Sequence, residues 1–282
     1  MKPMNSPSLR GIADLKEAIL RGELGPRPDS LPITGASSIY QTTQFPSSAV
    51  KYHNYYLLLR VESYFGACSH TAEQLTAGAA AQWSGRSLEA ALRDESLPVQ
   101  IAAMDAYLGC VYPHREHCGK IATIPSGTPL QKAELRDALI ADTADIRSGQ
   151  RVALIGVVNP LVEAIVRRGG TCLPCDLQLE RTQGGVPVEK DMEKVLDRAD
   201  SVICTAMTLS NGTFDRIVER VREKDIPLTV YAQTGSAVAA RFVGQGVMAL
   251  VAEPFPFTQF SAADTPLYCY VAGSGRTGTD VI

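Results

Sequence analysis

From residue 151 to residue 251 the chain alternates between short apolar, β-branched runs and helical stretches, and this alternation restricts the fold more than any other feature. The pattern predicts strands over 151–155, 171–175, 201–205, 228–232 and 247–251, with helices over 160–168, 190–198, 213–222 and 237–243 between them. Strands separated by helical crossovers run parallel, with helices covering both faces of the sheet. The helix over 213–222 carries Phe214, Ile217, Val218 and Val221 at the i, i+3, i+4, i+7 spacing that such packing needs. The expected fold class is therefore α/β, with a Rossmann-like parallel-sheet domain over residues 121–282.

Residues 1–120 read differently. Leu9, Ile12, Leu15, Ile19 and Leu20 fall at helical spacing, and Gly22, Gly25, Pro26 and Pro28 end that helix. Residues 52–65 are rich in Tyr, Leu and Val and suit buried strands, closed by the turn 66–70. Residues 75–83 and 87–93 look helical, and a longer helix follows Pro98 with Ile101, Met104 and Leu108 on its apolar face and Asp105 as a polar interruption. We expect a smaller α+β domain here, and a boundary near residue 120, where a polar stretch precedes a helix over 130–144.

Composition narrows the partners. The net charge is −3 and charged residues make up 20% of the chain, so there is no basic surplus to hold a phosphate backbone or an anionic membrane. No run is long enough to span a bilayer, and the polar start, Met1 to Pro7, lacks the apolar centre of an export signal. The seven cysteines then read as reduced thiols in a cytoplasmic protein. A homodimer is the expected assembly, because two-fold dimers are the commonest one.

Ligands of open parallel sheets bind beyond the carboxyl ends of the strands, where helix N-termini offer unpaired N–H groups. Three such junctions carry polar residues. In the first, Asn159 is a candidate cap ahead of Pro160, in a turn able to hold a carboxylate. The second, residues 205–213, concentrates hydroxyl and amide groups, with Thr208, Asn211 and Thr213 as candidate ligand-binding residues. The third, residues 233–236, places Ser236 as the cap beside Gly235. Asp176 lies 20 residues beyond Gly156, the spacing at which an acid meets a ribose in NAD or S-adenosylmethionine sites. The intervening turn lacks the two further glycines of that fingerprint, so this is the minority reading. A literal G-x-G-x-x-G at 273–278 has only four residues after it and no helix to open, so it reads as a flexible tail.

The sharpest metal-like cluster is His114, His117 and Cys118, with Cys110 and Glu116 nearby; imidazole and thiolate suit zinc, iron or copper. A solvated loop is the competing reading of the same residues. Cys172, Cys204 and Cys269 read as small buried hydrophobes.

Taken together, the strand ending in Gly156-Val157-Val158-Asn159-Pro160, the segment 196–205 and Thr208-Leu209-Ser210-Asn211-Gly212-Thr213 resemble the heavy-metal chelation family. The resemblance implies a Rossmann-like C-terminal domain preceded by a smaller domain similar to the N-terminal domain of enolases. It also implies a ligand site at Asn159, Thr208, Asn211 and Thr213 and a metal-related role. The sequence departs from the family in carrying Asp105 where asparagine is usual, and Gln233-Thr234-Gly235-Ser236 where a Gly-Pro-Ser turn is usual. The leading functional reading is a binding or accessory protein that handles a metal ion or a metal-chelating small molecule in the cleft between the two domains. The alternative is an enzyme that modifies a small amino-acid-like molecule or metallophore precursor, with Asp105, His114 or His117 as acid or base.

Overall fold

The computed structural model describes residues 9–44, 51–273 and 279–281. Helix α1 (Ile12–Leu20) is followed by a meander of three antiparallel strands, β1 (Gly35–Thr43), β2 (Tyr52–Val61) and β3 (Tyr64–His70). Helices α2 (Leu88–Leu92), α3 (Leu97–Val111) and the single turn α4 (His114–His117) lead to β4 (Lys120–Ile124) and α5 (Pro129–Thr143). The alternating region comprises β5 (Arg151–Ile155), α6 (Asn159–Arg167), β6 (Thr171–Cys175), α7 (Met192–Arg198), β7 (Ser201–Thr205), α8 (Met207–Ser210), α9 (Phe214–Lys224), β8 (Leu228–Ala232), α10 (Ser236–Ala240) and β9 (Ala249–Ala252). Strands β10 (Thr265–Val271) and β11 (Thr279–Val281) close the chain.

The α/β class and the parallel core match the expectation. Strands β6, β5, β7, β8 and β9 lie side by side in that order, all parallel. The chain leaves β5 to one side for β6 and then returns to the other side for β7, so the order reverses between β5 and β7. That reversal opens a crevice at the carboxyl ends of these strands. Pro174 cannot donate to a ladder, and it sits in β6, which ends the sheet and so needs donors on one side only. Beyond β9 the sheet continues with β10, antiparallel to both β9 and β4, and then β11 parallel to β4, giving eight strands.

Two layers of helices cover the sheet. On one face, Val152, Leu154, Ile203 and Val251 pack under α5 and α6 with Ile140, Leu161 and Ile165. On the other, Ala153, Val202, Val230 and Leu250 join a core that includes Phe214 and Val218 of α9 and Val238 of α10. That second core runs without a break into α3, into Leu57 and Leu59 of β2, and into Leu15 and Ile19 of α1.

Helix α3 is buried from Ile101 to Leu108 on all sides, because it lies between the three-stranded sheet and α10. A helix enclosed in this way needs small residues where neighbours approach. Ala102 and Ala106 face Gly66 of β3 so closely that a Cβ on Gly66 would stand 2.1 Å from the Ala106 nitrogen. Tyr64 uses the space over Gly109 in the same way.

Several local expectations are corrected. The apolar run over 52–65 is two strands, folded back at Glu62 with φ of 51°. Within 75–83 only a short 3₁₀ turn, Ala79–Gln82, forms, since its small residues leave the packing to Trp83. Strands β1, β4, β10 and β11 lack a legible alternation. The glycine motif at 273–278 lies outside the described residues beyond Gly273.

Gly66→Ala forces a methyl into α3 backbone, a contact no rotamer change relieves. We expect a loss of at least about 1–3 kcal/mol, read as a lower urea midpoint in equilibrium unfolding.

Candidate functional site

The three strand–helix junctions are built without the side-chain caps that their sequences suggest. Helix α6 begins at Asn159 itself, and the preceding cap position is Val158. Asn159 instead accepts a hydrogen bond from the Gln183 N–H at 2.8 Å, tying a distant loop to the turn. Asp176 closes the same turn: one oxygen accepts from Val157 N–H at 3.0 Å, the other from Gln178 and Leu179 at 2.8 and 3.1 Å. Gly156, at φ of 84°, lies against Thr205 at the strand-order reversal, where a Cβ would come within 2.3 Å of the threonine methyl. Asp176 thus acts as a turn staple, with both of its oxygens committed to backbone N–H groups.

At the second junction the hydroxyls serve the turn. Thr208 donates to the Thr205 carbonyl at 2.7 Å and Ser210 to the Met207 carbonyl at 2.9 Å. Asn211 accepts from the Thr213 N–H at 3.1 Å and from its hydroxyl at 2.7 Å, which holds the Asn211 ring of contacts together ahead of α9. This turn forms one wall of a groove of about 450 Å³ lined by Gln74, Glu95, Ser96, Leu97, Pro98, Ser210 and Asn211. The first five come from the α+β half and the last two from the parallel-sheet half. Gln74 bridges them by donating to the Ser210 carbonyl at 3.1 Å. Among the described residues the Glu95 carboxylate and the Asn211 amide NH₂, both exposed, have no hydrogen-bond or ionic partner in the protein, so the groove presents a carboxylate and an amide NH₂ to solvent or a ligand.

The third junction is a buried polar knot. Asp105, on α3, accepts from the Ala67 N–H of β3 at 2.9 Å with one oxygen and from the Ala237 N–H of α10 at 2.7 Å with the other. It therefore caps α10 from a different element, which explains why Ser236 is free of that task. Burial pushes the Asp105 carboxyl up to about 7, against the lowering effect of those backbone donors. Ser236 lies within 3.1 Å of His114 Nε2, and His114 Nδ1 lies 2.7 Å from the Tyr270 hydroxyl. His114 also stacks on Tyr268 and is held neutral, since burial lowers its pKa to about 3, with His117 adding a smaller effect.

The structure thus brings Asp105, Ser236 and His114 together, through adjacent residues of α10. It does not bring His117 or Cys118 into the knot. His117 is exposed and its Nδ1 lies 3.0 Å from the Pro113 carbonyl, while Cys118 is buried. With both ring nitrogens of His114 engaged, the expected metal set does not converge on one point. Among the described residues no group of three or more His, Cys, Asp or Glu side chains converges as an ion would require. Gln74, Glu95 and Ser96 were not candidates from sequence, because nothing local marks residues that meet a groove only after two halves pack.

Residues 139–247 match the sequence model of the DUF364 family, described as "Putative heavy-metal chelation". The resemblance read from the residues holds. Two solved DUF364 structures share the fold: a protein of unknown function from Desulfitobacterium hafniense and another from Pyrococcus horikoshii. The first is 15% identical with a TM-score of 0.60, covering 92% of this chain and 99% of its own. The second is 13% identical with a TM-score of 0.55, covering 92% and 98%. No curated protein matches the chain in sequence. Among the described residues no helix is long and apolar enough to cross a membrane.

Asp105 and His114 act on stability in opposite senses. The raised Asp105 pKa makes the native state hold a proton that the unfolded chain has lost, so its contribution falls as pH rises from about 4 to 7. The depressed His114 pKa makes the unfolded chain bind the extra proton, so its contribution is lost as pH falls from about 6.5 toward 3. Each limiting slope is about 1.4 kcal/mol per pH unit. Asp105→Asn should steepen the acid loss of stability between pH 4 and 6.5, and His114→Gln should make stability fall with rising pH there, both read from urea midpoints.

Proposed function

We propose that the protein binds a small polar organic molecule, a metal chelator or its metal complex, in the groove between Glu95 and Asn211. The observation that carries this reading is the groove's composition: residues of both halves line it, and a carboxylate and an amide there are left without protein partners. A site with one carboxylate among amides and hydroxyls suits the polar periphery of a chelate, which brings its own ligands to the metal. It does not suit a bare transition-metal ion, which needs several converging nitrogen, sulfur or carboxylate donors. The family description supports the metal-related part of the reading.

Asp105 and His114 contribute by position. Both are nearly inaccessible to solvent, and each spends its polar atoms on neighbouring elements. Asp105 ties α3 to α10 and His114 ties α4 to α10 and β10, and the Asp105 link sets the width of the groove between α3's first turn and the Asn211 turn.

Protein purified without chelators should carry metal and an organic mass in equal amounts, both lost together on denaturation. Mass spectrometry under native conditions, paired with elemental analysis, reads both. Glu95→Ala and Asn211→Ala should each reduce retention by about tenfold, the loss expected from one hydrogen bond to a polar ligand. Stoichiometric metal without any organic mass would instead assign a bare-ion site and overturn this reading.

A further inference from the structure

On the face of the sheet covered by α5 and α6 lies a second polar cluster, which shares no residue with the groove. Helix α5 places Arg136 and Asp137 over the carboxyl ends of β8 and β9, where Tyr231, Gln233 and Glu253 meet them. Tyr231 donates to the Gly156 carbonyl at 2.9 Å, which sets the cluster beside the strand-order reversal. Gln233 donates to Glu253 at 2.9 Å and to Gln259 at 2.8 Å, and the Thr258 N–H donates to the other Glu253 oxygen.

The cluster is incomplete in two respects. Arg136 Nε donates to one oxygen of Asp137 at 3.0 Å, while the second oxygen, Oδ2, is buried and has no partner; the side chain is 2% exposed. Two carboxylates, Asp137 and Glu253, also face a single guanidinium, whose nearest nitrogen is 3.9 Å from Glu253. Lys132, one turn earlier on α5, does not supply the missing charge, because its ammonium is bound to Ser261, Ala263 and Thr265 at 2.8, 2.6 and 3.0 Å. Burial raises the Asp137 pKa even with Arg136 beside it, as expected for a carboxylate short of donors.

A buried acceptor without a donor is costly, and in native structures such atoms are met by a ligand, an ion or ordered water. Water supplies hydrogens without charge. A protonated amine supplies both, and the acceptors the cluster offers it are the unpartnered Asp137 oxygen, the Glu253 carboxylate and the Tyr231 hydroxyl oxygen. We infer that Asp137, Glu253 and Tyr231 form a second binding site, for the protonated amino group of a small molecule. Arg136, Tyr231, Gln233 and Gln259 are only half-buried, so the cluster reaches solvent along that rim.

The test is thermal unfolding of the full chain with 2-aminoethanol as the amine probe, against ethylene glycol and acetate, which lack the ammonium. A saturable rise in Tm with 2-aminoethanol alone is expected, since a ligand held only by the native state raises Tm. Its apparent affinity should fall by about tenfold or more in Asp137→Asn, the loss of one charge-assisted bond, and similarly in Glu253→Gln, which keeps the test open should the first variant not fold. Equal shifts with all three probes, no shift at millimolar amine, or an unchanged response in both variants overturns the assignment and leaves water as the partner of Asp137. Since the groove is intact in these variants, this result is independent of the groove's occupancy.

Discussion

One buried carboxylate joins the two halves of this molecule. Asp105 projects from α3 and accepts backbone N–H groups from β3 on one side and α10 on the other, so a single side chain satisfies a donor of a strand and a donor of a helix. Neither donor is paired within its own element: Ala67 lies on β3, the edge strand of its sheet, and Ala237 opens a short helix whose cap position is glycine. Unpaired, each buried N–H would cost on the order of 1–3 kcal/mol. A residue that resolves two such penalties at once fixes the distance and rotation between the elements it joins, and the raised Asp105 pKa records how little solvent reaches it.

The packing around that carboxylate follows from it. Gly66 admits the α3 backbone, Ala102 and Ala106 line the contact, and the hydrophobic core continues from the first sheet through α3 into α10 and the parallel sheet. His114 extends the polar link by connecting Ser236 to Tyr270 of β10. With α3 held in this way, its first turn meets the α8–α9 turn, and the groove between Glu95 and Asn211 exists because those two turns are fixed at a separation neither sets alone. The polar residues of the strand–helix junctions divide accordingly. Asp176, Thr208 and Thr213 hold turns, Ser236 and His114 hold the knot, and the groove is left with Asn211 and partners from the other half.

The parallel core was legible because its signal is local and repeated. Five short apolar runs with helices between them leave few arrangements, and the helix stripe from Phe214 to Val221 states which face is buried. The strands β4 and β10 were not legible: both are largely buried and without alternation, and their pairing joins residues far apart in sequence, as between Lys120 and Cys269. Likewise the turn Thr208–Thr213 was visible as a motif, yet the Thr208 and Ser210 hydroxyls bind backbone carbonyls and the Thr213 hydroxyl binds the Asn211 side chain, which composition cannot distinguish from ligand binding.

By itself the sequence determined the α/β class, the position of the parallel strands and the resemblance to the chelation family, because each rests on periodicity or on residues adjacent in the chain; of the three cysteines read as buried, Cys204 and Cys269 are and Cys172 is only partly so. Only the tertiary structure decided that His114 is a buried, neutral hydrogen-bonding partner held apart from His117, that Asp105 is a cap for a helix 132 residues away, and that Asp137 faces two strand ends with an oxygen to spare. The physical reason is that the state of a polar side chain depends on its solvent exposure and its partners, and both are set by contacts between distant segments that leave no mark on the neighbouring sequence.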